Sequence, residues 1–320
     1  MSTVVREAAQ GCGIRLGASA ADSLPSDVSS TRAGGSAVTQ VTTTEAGRDV
    51  SSPPTEDFLE VPGGRVHLLR GGKGAPVLFL HAAGGAGQWH PFHELLSRGF
   101  EVFAPDHPGF GGSDEFPELE GVDDLVFHYL DVIERLGLER PHIVGASFGG
   151  WVAAELAVAR PDLIGSLTLL GPAGLRLPAH PLADLFLMTP DQVVDALFKD
   201  PAKASALFPG EPGVDDILAA YRDMTALARF SWHPFLNNPK LERRLHRITA
   251  RTLVVCPAED KVVPVAHGAR YAELIPQARF AQVEDCGHAM YFERPQEFAQ
   301  VVTEFLAEAD ARTELSGASR

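Results

Sequence analysis

The sequence predicts an α/β protein, a doubly wound and mostly parallel sheet with an inserted helical cap, and three observations carry that prediction. Short runs of solid apolar residues recur along the chain, as in strands covered on both faces of a parallel sheet. Amphipathic helical stretches lie between most of these runs, and alternating strands and helices build a sheet with helices packed on it. One long interval, residues 172–245, carries helical patterns but no strand-like run.

Taken in order, residues 1–55 are rich in Ser, Thr, Ala and Gly, lack aromatics and show neither period. A disordered tail is expected there. Arg6, Arg15 and Arg32 among small residues would also suit an organelle transit peptide, although Glu7, Asp22 and Asp27 count against one. Phe58-Leu59-Glu60-Val61 and Val66-His67-Leu68-Leu69 flank a Pro62-Gly63-Gly64 turn and read as a hairpin. Val77-Leu78-Phe79-Leu80 is the first solid apolar run, and others follow at 100–104, 142–145, 167–170, 252–256 and 279–283.

Helices are expected at 124–136, where Leu125, Tyr129, Val132, Ile133 and Leu136 share a face, and at 149–160, 271–275 and 295–307. Within the insert, short helices are expected at 191–198 and 214–230. The organisation is therefore a core of residues 56–171 and 246–310, a helical cap at 172–245, and a flexible tail at 311–320. Ligands of open parallel sheets lie beyond the carboxyl ends of the strands, so an insert leaving one of those ends would roof the site.

Composition narrows the function. With 320 residues, 45% of them hydrophobic and 22% charged, the chain can bury a full core. A formal net charge of -15 disfavours nucleic acid or an anionic membrane as partner. A small, neutral or apolar substrate fits better. Cys12, Cys256 and Cys286 show neither zinc-site spacing nor the density of a disulfide scaffold. No metal or cofactor is expected, and a reducing cytoplasm is the simplest compartment. No apolar run approaches the roughly 20 residues that span a bilayer. Oligomeric state is not encoded in any pattern of the sequence.

The chemistry centres on Gly145-Ala146-Ser147-Phe148-Gly149, which follows an expected strand and opens an expected helix. A sharp strand-to-helix turn of this kind exposes the serine hydroxyl and needs small residues two positions either side. The plainer alternative is a serine in a glycine-rich turn. A serine hydroxyl is a weak nucleophile at neutral pH, so catalysis demands a histidine base and a carboxylate that fixes its tautomer. His288, in Cys286-Gly287-His288 just past the last strand-like run, is the candidate base. Asp260, on the loop after the run that ends at Cys256, is the candidate acid, with Glu284 and Asp285 as spares. The loop His81-Ala82-Ala83-Gly84-Gly85 ends an earlier strand, and the amides of Ala83 and Phe148 are the candidate oxyanion donors.

With these motifs in place, the chain resembles the α/β-hydrolase superfamily from about Phe58 to Leu306. Ala104-Pro105-Asp106-His107-Pro108-Gly109-Phe110-Gly111-Gly112-Ser113-Asp114 looks like the family's loop after the strand before the elbow. Asp260-Lys261-Val262-Val263-Pro264 looks like its acid loop, and Gly287-His288 with Glu293, Pro295 and Phe298 like its histidine loop. The resemblance implies Ser147, Asp260 and His288 as nucleophile, orienting acid and base, and Asp106 as a structural turn residue. Two positions depart from it. Ala82 stands where the family usually has glycine, and Ala289 stands where hydrolases of carbon–carbon bonds in ring-fission products carry an aromatic.

The expected activity is hydrolysis of an ester or lactone through an acyl-enzyme. Alternatives on the same triad are acyl transfer or perhydrolysis without a cofactor, and carbon–carbon bond hydrolysis. A small-molecule receptor with little turnover is the alternative from another class. Of the cap aromatics Phe186, Phe198, Phe208, Tyr221, Phe230, Trp232 and Phe235, most belong to packing and some to an apolar pocket.

Overall fold

A computed structural model describes residues 14–16, 53–207 and 213–317. The solid apolar runs become the centre of a sheet. Strands β1 (Ile14–Leu16), β2 (Thr55–Val61), β3 (Gly64–Gly72), β4 (Ala75–Leu80), β5 (Phe100–Pro105), β6 (His142–Ala146), β7 (Ser166–Leu170), β8 (Arg251–Pro257) and β9 (Arg279–Val283) form, among the described residues, a nine-stranded sheet. Its order is β1-β9-β8-β7-β6-β4-β5-β3-β2. Neighbouring strands from β5 through β4, β6, β7 and β8 to β9 are parallel. The hairpin β2–β3 and the short β1 add antiparallel edges.

Every residue of β6 and β7 is buried, because helices cover both faces. On one face lie α2 (Val122–Arg135), α3 (Phe148–Ala159) and α7 (Ala266–Leu274), which give Leu125, Tyr129, Val152, Leu156 and Tyr271 to the core. On the other lie α1 (Pro91–Leu96) and α9 (Pro295–Gly317), which contribute Phe92, Leu96, Phe298, Val302 and Phe305. Fully burying one such Leu or Phe is worth about 1.5–3 kcal/mol. The chain moves from β4 to one side, into β5, then crosses back to β6 on the other side. The loops after β4 and β6 therefore diverge and open a crevice at the carboxyl edge.

The insert contains helices α4 (Pro190–Leu197), α5 (Pro201–Leu207) and α6 (Val214–Ser231) and, among the described residues, no strand. It clasps the core through polar bonds to backbone. Arg222 donates to the carbonyls of Gly111 at 2.8 Å and Ser113 at 2.6 Å, Arg229 donates to that of Glu115 at 2.7 Å, and the Gly111 amide donates to Asp223 Oδ1 at 3.1 Å. On the return segment Asn238 donates to Glu155 of α3 at 2.7 Å.

The outer elements differ from expectation. Most of the expected disordered tail lies outside the described residues, but Ile14–Leu16 pairs with Ala281, Gln282 and Val283 of β9. Three residues are too few to display a strand period. The expected flexible tail at 311–320 is helical as far as Gly317, since nothing between Pro295 and Gly317 breaks a helix. The short α1 and α8 (Met290–Glu293) also have too few residues for a 3.6-residue period to show. No helix among the described residues is long and apolar enough to cross a membrane.

Candidate active site

Ser147 stands between β6 and α3 with φ 51° and ψ -111°, a conformation that side chains rarely adopt and the surrounding structure must impose. Its amide donates to the Leu170 carbonyl at 2.8 Å, and its carbonyl accepts from Trp151 and Ala173. The glycines around it leave no room for alternatives. A Cβ on Gly149 would lie 2.2 Å from the Leu80 carbonyl oxygen, and one on Gly145 would lie 2.4 Å from that of Gly149. The elbow thus presses directly on the strand that leads into the loop at Ala83.

Ser147 Oγ is 2.8 Å from His288 Nε2, and His288 Nδ1 is 2.8 Å from Asp260 Oδ2. All three groups are buried, the Asp260 side chain completely. An ionised carboxylate only accepts, so Nδ1 carries the proton and Nε2 is free to accept from Ser147. The other Asp260 oxygen is fixed by the amides of Val262 at 2.9 Å and Val263 at 2.8 Å. Chemically, this arrangement lets His288 withdraw the Ser147 proton while Asp260 faces the imidazolium that results. Asp285, a spare candidate, points instead to Lys199 and Arg294.

The loop after β4 is set by a chain of buried rings. Tyr129 donates to His107 Nδ1 at 2.5 Å, and His107 Nε2 donates to the His81 carbonyl at 2.9 Å. The His107 amide donates to His81 Nε2 at 2.8 Å, so the His81 proton sits on Nδ1, which donates to the Ala82 carbonyl at 2.6 Å. Burial lowers the pKa of His81 and drives that of His107 well down, while it raises that of Tyr129 well above its usual value. Both imidazoles are therefore neutral. In a trans peptide the N–H points opposite to the carbonyl, so the Ala82 bond to His81 fixes the direction of the Ala83 amide. The Phe148 amide opens α3, where helix N–H groups are free to face a negative charge.

Asp106 braces the same loop. It accepts from Gly87 N at 2.6 Å, Gly112 N at 2.9 Å and His67 Nδ1 at 2.7 Å. Burial opposes its charge, but the hydrogen bonds from His67 and the two amides outweigh that and hold the carboxyl below its usual range. The His67 ring also bonds Glu56 at 2.9 Å, and its pKa is raised, first by the hydrogen bond to Asp106.

Among the other candidates, burial pushes the thiol of Cys286 far up, which keeps it protonated. Trp232 is 60% exposed and packs on Phe186 at the cap surface, while Phe198 and Phe230 are buried. Phe208 and Cys12 lie outside the described residues. Among the described residues no group of three or more His, Cys, Asp or Glu side chains could hold a metal ion.

The doubly wound sheet, its helical insert and the contact between Ser147, His288 and Asp260 define an α/β-type hydrolase. Residues 77–301 match the alpha/beta hydrolase family, and the chain belongs to it. It is similar to the 2-hydroxymuconate semialdehyde hydrolase of Pseudomonas putida, at 30% identity over 299 residues, 81% of this chain and 97% of that one. It is also 30% identical to the 2-hydroxy-6-oxo-6-phenylhexa-2,4-dienoate hydrolase of Burkholderia cepacia, over 76% of this chain and 91% of that one. Among solved structures, a serine hydrolase involved in carbazole degradation superposes with a TM-score of 0.65 at 26% identity, covering 80% of this chain and 99% of that one.

Proposed function

We propose that the chain hydrolyses the carbon–carbon bond beside a ketone in a dienoate of the kind for which its relatives are named. The observation that carries this is the joint one. A serine, histidine and aspartate in hydrogen-bonded contact sit in a chain that is similar over 76–82% of its length to such hydrolases. This supports carbon–carbon cleavage over the ester or lactone reading that the sequence puts first.

In the proposed mechanism His288 takes the proton of Ser147, and Ser147 Oγ adds to the ketone carbon. The amides of Ala83 and Phe148 hold the resulting oxyanion, each donor worth about 2.7–4 kcal/mol in the transition state. Before the bond breaks the dienol ketonises, its hydroxyl proton moving to the carbon beside the ketone and leaving that carbon saturated; when the tetrahedral adduct then collapses, the electron pair of the carbon–carbon bond leaves with it as a dienolate. Conjugation with the new keto group spreads that charge, and the His288 imidazolium returns its proton to the departing dienolate. Water, activated by His288, then cleaves the ester on Ser147 and releases a carboxylic acid.

Ester hydrolysis is the second reading, and Ala289 favours it, because the small side chain after His288 replaces the aromatic of the ring-fission hydrolases. One experiment separates the two. The chain is assayed with 2-hydroxy-6-oxo-6-phenylhexa-2,4-dienoate by loss of dienol absorbance and release of benzoate, and in parallel with p-nitrophenyl acetate. A higher kcat/KM on the dienoate is expected. Turnover of the ester with an untouched dienoate would reverse the order of the two readings.

A further inference from the structure

Two backbone amides flank His288, and both are held by groups that belong to the cap or are tied to it. The Ala289 amide donates to the carbonyl of Leu197, the last residue of α4, at 2.7 Å. The Gly287 amide donates to Glu293 Oε2 at 2.7 Å. Glu293 is buried at 5% exposure, and its carboxylate also accepts from two cap amides, Lys199 N at 3.1 Å and Asp200 N at 3.1 Å. One buried carboxylate thus gathers three N–H groups, one from the histidine loop and two from the cap.

The surroundings extend this tie. The Lys199 ammonium pairs with Glu259 at 2.8 Å, next to Asp260 in sequence, and with Asp285 on the histidine loop. Lys203 Nζ donates to the Glu293 carbonyl at 3.0 Å. The cap backbone also presses directly on Gly287, where a Cβ would lie 2.6 Å from Lys199 N and 2.8 Å from the Leu197 carbonyl oxygen. The segment 197–200 and the loop 287–289 are therefore packed backbone to backbone.

We propose that Glu293 is a positioning residue that locks the backbone of His288 to the seated cap, so that the imidazole lines up with Ser147 and Asp260 only when the segment 197–200 is docked. The proposal rests on the roles given above to Ser147 and His288, but not on which bond the enzyme breaks. A substrate held under the cap is in this way coupled to the base that acts on it. Displacing a reacting group by about 1 Å can cost on the order of 100-fold in rate. Glutamine at this position would keep one acceptor oxygen and turn an NH2 group towards amide donors.

The test compares wild type, Glu293→Gln and Asp200→Pro, the last of which deletes one cap donor and leaves the histidine loop intact. Three quantities are read: kcat and KM on a turned-over ester or dienoate, the rate of Ser147 labelling by a fluorophosphonate, and the far-downfield proton resonance of the His288–Asp260 hydrogen bond. Both variants are expected to lose roughly 10- to 100-fold in kcat and labelling rate, with KM moving by less than about threefold and the resonance broadened. A folded Glu293→Gln chain with unchanged kcat, or with its loss confined to KM and the resonance intact, overturns the proposal. Should Glu293→Gln fail to fold, Asp200→Pro decides it by the same split. A wild-type chain that the fluorophosphonate does not label would instead remove the serine mechanism itself, a failure visible before any variant is made.

Discussion

Ser147 holds its φ of 51° because its amide and carbonyl are each bonded and because Gly145 and Gly149 admit close backbone on both sides. None of those constraints involves the hydroxyl. Ser147→Ala is therefore expected to keep the melting temperature and lose turnover by about 10⁴-fold or more, checked by kcat together with loss of fluorophosphonate labelling. Asp260→Asn would place an NH2 or a neutral oxygen against His288 Nδ1 and is expected to cost roughly 10⁴-fold in kcat. A fall of less than tenfold in that variant would argue for another orienting acid.

At this scale the site was legible because each of its residues follows an apolar run that had to be a buried strand. Pairs separated by 141 and 28 positions meet only because those runs become parallel strands of one sheet, with β8 beside β9 and β7 between β8 and β6. The partners behind them left no such trace. Nothing in the composition of 81–129 announces that Tyr129, His107 and His81 form one hydrogen-bonded chain, since each alone reads as core. Removing the Tyr129 hydroxyl would leave a buried His107 nitrogen without its donor, a loss of about 1–3 kcal/mol.

Among elements, the cap shows where periodicity serves and where it stops. The expected helices at 191–198 and 214–230 appear as Pro190–Leu197 and Val214–Ser231, but the surfaces they dock on were not readable, because the contacts run to backbone carbonyls and amides. Asp223 on α6 is one of those contacts, and burial pushes its pKa up to about 6 from 3.8, with the Asp106 charge adding to the effect and Arg222 and the Gly111 amide opposing it. A carboxyl whose folded pKa is raised binds its proton more tightly in the folded chain. Its contribution to stability is complete below pH 3.8 and is lost as pH rises through about 6. Asp223→Asn keeps an acceptor for Gly111, so it is expected to melt on the order of 2 °C above wild type at neutral pH and level with it near the lower limit. Melting curves across that range check the sign, and a variant less stable at neutral pH would contradict it.

For the whole molecule, the three-layer architecture followed from the alternation of strands and helices, and it positions every functional loop on one edge of the sheet. The exception to that legibility is the outermost strand. Ile14–Leu16 covers β9, and β9 runs into the loop that carries His288. A chain begun at Pro53 would leave Arg279–Val283 with a row of free N–H and C=O groups, which are a template for pairing with another molecule. Such a chain is expected to sediment as larger species as its concentration rises, under conditions where the full chain does not. Equal behaviour of the two would count against the expectation. If the expectation holds, Ile14–Leu16, which carries no part of the proposed chemistry, guards solubility, and the edge it shields leads to the loop of His288, the proposed base.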